Sequence, residues 1–223
     1  MESKKIINSI SKIYSTYFIP LNLQRHMMLT AGVAEQICAN YKKPIDAQNI
    51  IAAALIHDLG NLVKMDLKDK KKILLLDPTD RDRVDILIEK QKEFWEKYGK
   101  NDFLANALIA KELGANKRVI FLMENKGIEN DFRQLWRKDL GLAIFAYADL
   151  RVAPYGVTSM QERLEEFQKR YNLHKSKVTL AQSKKFMVFA KELEEEIFEN
   201  VSIRPQDITS ASIMPYIKKW SSD

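Results

Sequence analysis

The sequence of 223 residues contains a single cysteine, Cys38, so no disulfide framework can hold the chain together. Cys38 lies near Val33, Ile37 and Tyr41 on what reads as a helix. A thiol in such surroundings behaves as a small hydrophobic group. We therefore interpret Cys38 as a core residue rather than as a nucleophile.

Glycine and proline are also scarce, with 7 and 6 residues in the whole chain. Proteins built from β-sheets need many tight turns, which these two residues supply, so the composition favours helices. Hydrophobic residues make up 46% of the chain, which is enough for one substantial core and rather little for two domains. The sequence predicts an all-α, single-domain protein.

Long apolar runs are absent as well, and none approaches the roughly 18 residues that a membrane-spanning helix requires. The N-terminus, Met1 to Asn8, has no apolar stretch of the kind found in secretory signals. We therefore expect a cytoplasmic protein with no membrane partner.

Charged residues are plentiful and only moderately biased, with 36 Lys and Arg against 30 Asp and Glu, a formal net charge of +6. They are interleaved along the chain rather than gathered in an arm or tail. This balance suits a phosphate-bearing small molecule or RNA and does not decide between them. Because no aromatic and basic pattern of an RNA-binding module is present, we do not expect nucleic acid as a partner.

The most informative stretch is the run from Ile50 to Ile56, in which every residue is apolar. A helix that is apolar on all sides is buried on all sides, yet this one ends in the adjacent ionisable residues His57 and Asp58. Burying a carboxylate costs several kcal/mol unless the group is paired or binds a cation. The pattern therefore predicts that His57 and Asp58 are metal ligands.

Two further residues lie in comparable surroundings. His26 shares a helix face with Leu29, Val33 and Ile37, so its ring points into the core. Taken alone, His26 could equally be a buried histidine bonded to a backbone carbonyl. A second apolar helix, residues 140–148, ends in Asp149. Imidazole and carboxylate ligands together suit one divalent ion of Mn, Fe, Co, Ni or Zn better than Mg or Ca.

With these residues in place, the sequence resembles the HD-domain superfamily of metal-dependent phosphohydrolases. The resemblance rests on Leu23-Gln-Arg-His-Met-Met28, on Leu55-Ile-His-Asp-Leu-Gly-Asn61 and on Tyr147-Ala-Asp-Leu-Arg-Val152. It implies a helical domain whose core spans about residues 21–171, with residues 172–223 as a C-terminal helical extension packed on it. It also implies that His26, His57, Asp58 and Asp149 are the four ligands of the metal.

The sequence departs from many members of that family, which carry two more histidines for a second metal. Phe103 and either Asn125 or Lys126 stand at the corresponding positions here, and no histidine lies between His57 and His174. The resemblance therefore implies a mononuclear centre. The Glu that some related nucleotide hydrolases have soon after the doublet is also missing, which leaves the general base unassigned.

The resulting functional prediction is a hydrolase of the phosphatase or nucleotidase type, acting on a nucleotide or another small phosphomonoester. Asp58 is the candidate catalytic residue, because it could both bind the metal and orient a water molecule. Arg25, Lys64 and Arg151 are candidate substrate-binding residues, chosen because they lie close to the ligands in sequence. Arg25 and Lys64 could equally be ordinary surface residues. The alternative is a non-catalytic HD-type regulatory module that binds a nucleotide or RNA.

Overall fold

The computed structural model describes residues 2–127, 132–173 and 180–220, and His174 lies outside them. The described residues form fourteen α-helices, two 3₁₀ segments and one short hairpin, which confirms the predicted all-α fold. The helices, numbered in chain order, are α1 Glu2–Asn8, α2 Ile10–Thr16, α3 Leu21–Ala39, α4 Ala47–Ile56, α5 Lys70–Ile73, α6 Pro78–Asp82, α7 Val84–Tyr98, α8 Asp102–Glu112, α9 Lys117–Asn125, α10 Phe132–Lys138, α11 Leu140–Leu150, α12 Met160–Leu173, α13 Leu180–Phe198 and α14 Met214–Lys218. The 3₁₀ segments are Leu59–Lys64 and Pro205–Asp207, and the antiparallel strands are β1 Val152–Ala153 and β2 Gly156–Val157.

The centre of the molecule is a trio of mutually packed helices, α3, α4 and α11. Small residues in α4, Ala52 to Ala54, are fully buried and allow its neighbours to approach closely. The apolar stretches of α4 and α11 are buried on all sides, as their sequences predict. Each buried aliphatic side chain contributes about 1.5–3 kcal/mol, so the packing of this trio stabilises the fold substantially.

The N-terminus of the long helix α3 is fixed by a contact with another part of the fold. At its N-terminus, the backbone N–H of Leu21 donates to Asp80 Oδ2 over 2.6 Å. Asp80 is fully buried and also accepts hydrogen bonds from the guanidinium of Arg83, so the buried carboxylate is paired. This contact ties the first turn of α3 to α6 and, through Arg83, to the start of α7.

The N-terminus of α4 has no side-chain cap. Asp46 stands at the N-cap position, but its side chain caps no backbone N–H. Its Oδ2 atom accepts a hydrogen bond from the side chain of Asn49 instead. Packing rather than capping therefore holds this end of α4.

The chain after residue 180 packs on the same core. Helix α13 lies against α11, and α14 lies against α3. An isolated bridge joins Tyr41 and Val201. In the parts of the chain that the structure describes, no helix combines the length and the apolar character needed to cross a bilayer.

Candidate metal centre

Three packed helices bring the four predicted ligands together. His26 lies on α3, and Asp149 is the penultimate residue of α11. His57 occupies the C-cap position of α4, and Asp58 follows it as the chain turns into the 3₁₀ segment. The side chains converge because α3, α4 and α11 contact one another at this end of the trio.

Three nitrogen and oxygen atoms form a small triangle at the centre. His26 Nε2 lies 2.9 Å from Asp149 Oδ1 and 3.3 Å from His57 Nε2. The third side, His57 Nε2 to Asp149 Oδ1, measures 3.4 Å. Ligand atoms about 2.0–2.2 Å from one ion, at tetrahedral or octahedral angles, are roughly 2.8–3.6 Å apart. The triangle therefore has the size of one face of a metal coordination sphere.

Asp58 stands at the side of this triangle. Its Oδ1 atom is 3.6 Å from His57 Nε2, and its Oδ2 atom is 3.9 Å from His26 Nε2. His26, His57 and Asp58 each present one ligand atom, and these atoms lie within 4.8 Å of one another. Asp58 therefore stands beside the triangle as a fourth candidate donor.

A backbone contact fixes the orientation of His57. Its Nδ1 atom donates to the carbonyl oxygen of Ala54 over 2.7 Å, since that oxygen can only accept. In the neutral ring, Nε2 then carries a lone pair and no proton. The ring is buried and packs edge-on against Phe145, with 5.6 Å between the ring centroids. The bare Nε2 faces Asp149 Oδ1, another acceptor, an arrangement that a cation between them stabilises.

The sequence did not assign Lys126 to the centre, but its side chain reaches it. Its Nζ atom lies 2.9 Å from Asp149 Oδ2 and 3.5 Å from Asp58 Oδ1. Lys126 is the residue at the end of α9, and the indole N–H of Trp136 donates to the adjacent carbonyl of Asn125 over 3.1 Å. Its place between the doublet and Asp149 was visible in the sequence, but its approach to both carboxylates depends on how α9 packs.

The other residues at the absent second-metal positions do not reach the centre. The side-chain amide of Asn125 donates to the carbonyl oxygen of Phe121, within its own helix. Phe103 is more than half exposed on α8. Of the three residues Phe103, Asn125 and Lys126, only Lys126 is seen to contact a predicted ligand.

The two carboxylates are held in the ionised form. Burial raises the pKa of Asp58, but the charges of His57, Lys126 and His26 outweigh it and lower the pKa to about 2. Burial opposes ionisation of Asp149 too, and the Lys126 ammonium and the His57 ring hold the pKa of that carboxyl well below its usual range. Burial lowers the pKa of Lys126, yet Asp149 and Asp58 raise it overall.

Arg25 and Lys64 lie at the surface. Arg25 pairs with Asp77 at 3.5 Å, and 63% of its side chain is exposed. Lys64 ends the 3₁₀ segment and pairs with Asp102 at 2.6 Å, with 53% of its side chain exposed. The partners in these ion pairs are not predicted metal ligands. The role of Arg25 and Lys64 in substrate binding stays a prediction.

Arg151 is held inside the fold, and its role in substrate binding stays a prediction. Its guanidinium is buried and donates to the carbonyl oxygens of Thr158, Pro205 and Ile208 and to the hydroxyl of Tyr147. Arg151 lies only two residues after Asp149. On a helix, residues two positions apart do not face the same side, so the side chain of Arg151 points away from that of Asp149. It joins α11 to the hairpin and the C-terminal segment.

Comparison with known families agrees with this geometry. Residues 23–124 match the family model of the HD domain. This part of the chain is therefore similar to the HD domain. The matched residues include His26 and the His57–Asp58 doublet, whereas Lys126 and Asp149 lie beyond them. HD domains are typically metal-dependent hydrolases, and the donors at this centre fit a divalent ion.

No curated protein and no solved structure gave a significant match to the chain. The family assignment therefore rests on the HD-domain model, and the description of the site rests on the geometry of this chain.

Proposed function

We propose that this protein is a metal-dependent phosphohydrolase that acts in the cytoplasm on a small phosphomonoester, most readily a nucleotide, through a mononuclear centre. The observation that carries the proposal is the triangle of His26 Nε2, His57 Nε2 and Asp149 Oδ1, with sides of 2.9–3.4 Å. Asp58 stands beside it as the fourth donor. The HD domain supports a hydrolase, and the single cysteine suits a reducing compartment.

The donor set would hold one ion of Mn, Fe, Co, Ni or Zn. Bound at such a site, a divalent ion polarises a phosphoryl oxygen and lowers the pKa of water towards neutrality. The chain's own residues supply the rest of the centre. His57 is prevented from turning away by its bond to Ala54, so its Nε2 lone pair stays directed at the centre.

Asp58 is the residue that we propose orients the attacking water. Its carboxylate is ionised, and both oxygens lie beyond the closest contacts of the triangle, at 3.6 and 3.9 Å from the imidazoles. One oxygen would then bind the ion, while the other would accept a hydrogen bond from the water molecule. Asp58 directly follows the end of α4 and lies near both histidines.

A nucleotide is the substrate that we favour within the phosphomonoesters. The support is general, since the chain carries a formal net charge of +6 and a basic surface attracts phosphorylated substrates. Asp58 and Asp149 would repel a phosphate if they were left uncompensated. A divalent ion at the centre removes this repulsion, and so substrate binding should require the metal.

The test is a hydrolysis screen of the purified protein loaded separately with Mn, Fe, Co, Ni or Zn. The panel contains nucleoside monophosphates, nucleoside triphosphates and an aryl phosphate, and released phosphate is measured. We expect turnover of at least one monoester that is lost in His57→Ala and Asp58→Ala. Turnover that survives both substitutions would overturn the proposal. Tight nucleotide binding with one metal and no turnover would favour the regulatory-module alternative.

A further inference from the structure

Lys126 is a cation built into the wall of the centre. Its ammonium contacts Asp149 Oδ2 at 2.9 Å and Asp58 Oδ1 at 3.5 Å, and 18% of its side chain is exposed. The imidazoles, by contrast, meet Asp149 through its other oxygen, Oδ1. The Asp149 carboxylate therefore separates the histidine side of the centre from the ammonium side.

We propose that Lys126 binds the phosphoryl group of the substrate, with its ammonium holding one phosphoryl oxygen beside the metal. This inference rests on the proposed function, because it gives a residue to the substrate of that same centre. It assigns to Lys126 the role that the sequence suggested for Arg25, Lys64 and Arg151.

The first argument concerns hydrogen-bond donors. A lysine ammonium has three N–H donors and no acceptor. Its contacts with Asp149 and Asp58 use two of them, and the second contact, at 3.5 Å, is at the limit of a hydrogen bond. At least one donor therefore remains for a ligand on the exposed side of the group.

The second argument concerns charge. Two carboxylates and one ammonium leave the centre with one net negative charge, which repels phosphate. A divalent ion on the histidine side changes this to one net positive charge, and the ion also competes with Lys126 for the carboxylates. Without Lys126 the loaded centre would be neutral, so its charge is what makes the loaded centre attractive to an anion.

The third argument concerns position. The carbonyl of Asn125, next to Lys126, is held by the indole of Trp136, which is itself buried. Lys126 Nζ also lies 6.0 Å from the ring centroid of Phe145, the residue that packs on His57. The packing that positions His57 therefore also positions the Lys126 ammonium. A substrate-binding group needs such a fixed position. The cations of Arg25 and Lys64 have no such support.

The experiment uses isothermal titration calorimetry with two probes, Mn²⁺ alone and then inorganic phosphate added to the Mn²⁺-loaded protein. The variants are Lys126→Met, which keeps the length without the charge, and Lys126→Arg, which keeps the charge. Lys72→Met is the matched control, since Lys72 pairs with one exposed carboxylate, Asp66, away from the centre. Thermal melting verifies that each variant is folded, and Lys126→Gln replaces the Met variant if that one does not fold.

We expect opposite changes for the two probes. Loss of the ammonium should tighten Mn²⁺ binding about 3- to 10-fold, because the ion no longer competes for the carboxylates. Phosphate affinity of the loaded protein should fall roughly 10- to 100-fold, the range for one charge-assisted hydrogen bond. Lys126→Arg should recover most of the phosphate affinity, and Lys72→Met should change neither probe.

Other results overturn one proposal or both. Unchanged phosphate affinity in folded, Mn²⁺-loaded Lys126→Met would show that Lys126 is only a counter-ion of the carboxylates, even if the wild type hydrolyses esters. Phosphate binding that depends on Lys126 without turnover of any ester would remove the proposed function and leave the inference standing. A wild-type protein that binds no Mn²⁺ or other divalent ion would overturn both.

Discussion

The Nδ1 atom of His57 donates a hydrogen bond to the carbonyl oxygen of Ala54 over 2.7 Å, less than one turn back along the same helix. The next carbonyl, that of Leu55, accepts a hydrogen bond from the hydroxyl of Tyr14 at 2.7 Å. Two buried carbonyls at the end of α4 are thus satisfied by side chains, one of which belongs to the centre. The orientation of the His57 ring is therefore set by a contact within its own helix.

Substitution His57→Ala should lower the affinity for Mn²⁺ by about 100-fold or more, because it removes one donor and leaves the buried carbonyl of Ala54 unpaired. Calorimetric titration measures this directly. Tyr14→Phe is a useful comparison, since it removes a hydrogen bond at the same helix end without touching a ligand. It should cost about 1–2 kcal/mol of stability and keep the Mn²⁺ affinity within a few-fold. Equal losses of affinity in both variants would contradict the assignment of His57 as a ligand.

Removal of metal should destabilise the protein, because the single ammonium of Lys126 is then left to compensate the two negative charges of Asp58 and Asp149. At a free Mn²⁺ concentration 100 times the Kd, binding stabilises the folded state by about 2.7 kcal/mol. For a chain of this size, the melting temperature should rise by roughly 5–10 °C relative to protein in chelator. Differential scanning calorimetry tests this, and the shift should be absent in His57→Ala. A wild type with the same Tm in both buffers would speak against the centre.

The sequence marked the candidate ligands through their expected burial. The run from Ile50 to Ile56 is apolar on every side, so the ionisable residues that follow it had to lie near the core, and His26 shared a helix face with core residues. The same logic marked Asp149 at the end of α11. These inferences depend on helix periodicity and desolvation, which are local properties of the chain.

Closeness in sequence to the predicted ligands did not indicate which other side chains approach the centre. Arg151 is close to Asp149 along the chain, yet its side chain turns into a buried network. Lys126 is 23 residues from Asp149 and reaches it. Each of these features depends on which elements pack together, and a single sequence does not fix that.

Gly60 should not tolerate a side chain. A Cβ atom at this position would lie 2.6 Å from the backbone nitrogen of Asn106 and 2.8 Å from the Cβ of Ala105, both on α8. The N–H of Gly60 also donates to Asn106 Oδ1 over 2.6 Å. Gly60→Ala should therefore lower the free energy of unfolding by about 1–3 kcal/mol, as measured by urea denaturation.

The matched control for that substitution is Gly127→Ala, because a Cβ at Gly127 would meet no heavy atom within 4 Å. Its stability should change by less than about 0.5 kcal/mol. If Gly60→Ala were as stable as this control, the close approach of the 3₁₀ segment to α8 would be wrong.

Arg151→Met should destabilise the fold, because it leaves the buried hydroxyl of Tyr147 and several carbonyl oxygens without their donor. We expect a loss of about 3–5 kcal/mol in the free energy of unfolding. Arg204→Met provides the comparison, since Arg204 is 80% exposed and pairs only with Asp207 in the described contacts. Urea denaturation of both variants measures the difference. If Arg151→Met changed the free energy of unfolding only slightly, the hydrogen bonds of Arg151 would not be needed for the fold, and a role in substrate binding would be favoured.

The ion pair of Arg118 and Asp139 predicts a pH dependence of stability. Two guanidinium nitrogens donate to the carboxylate over 2.5 and 2.7 Å, and Asp139 Oδ1 also accepts from the N–H of Leu142 at the start of α11. The hydrogen bonds from Arg118 are the main cause that lowers the pKa of Asp139, against the opposing effect of burial. Because the folded state has the lower pKa, this stabilisation is complete above the ordinary pKa of about 3.9 and is lost as the pH falls through the folded value.

Asp139→Asn keeps an oxygen to cap α11 and removes the charge, so the difference in unfolding free energy between wild type and variant isolates the ion pair. That difference should be about 1–3 kcal/mol at pH 7, begin to shrink below about pH 4, and disappear at still lower pH. Arg118→Met should give the same trend, because it removes the other partner. Urea denaturation of the three proteins between neutral pH and about pH 2.5 supplies the measurement. A difference that stayed constant over this range would show that Asp139 stabilises α11 as a cap alone, with no contribution from its charge.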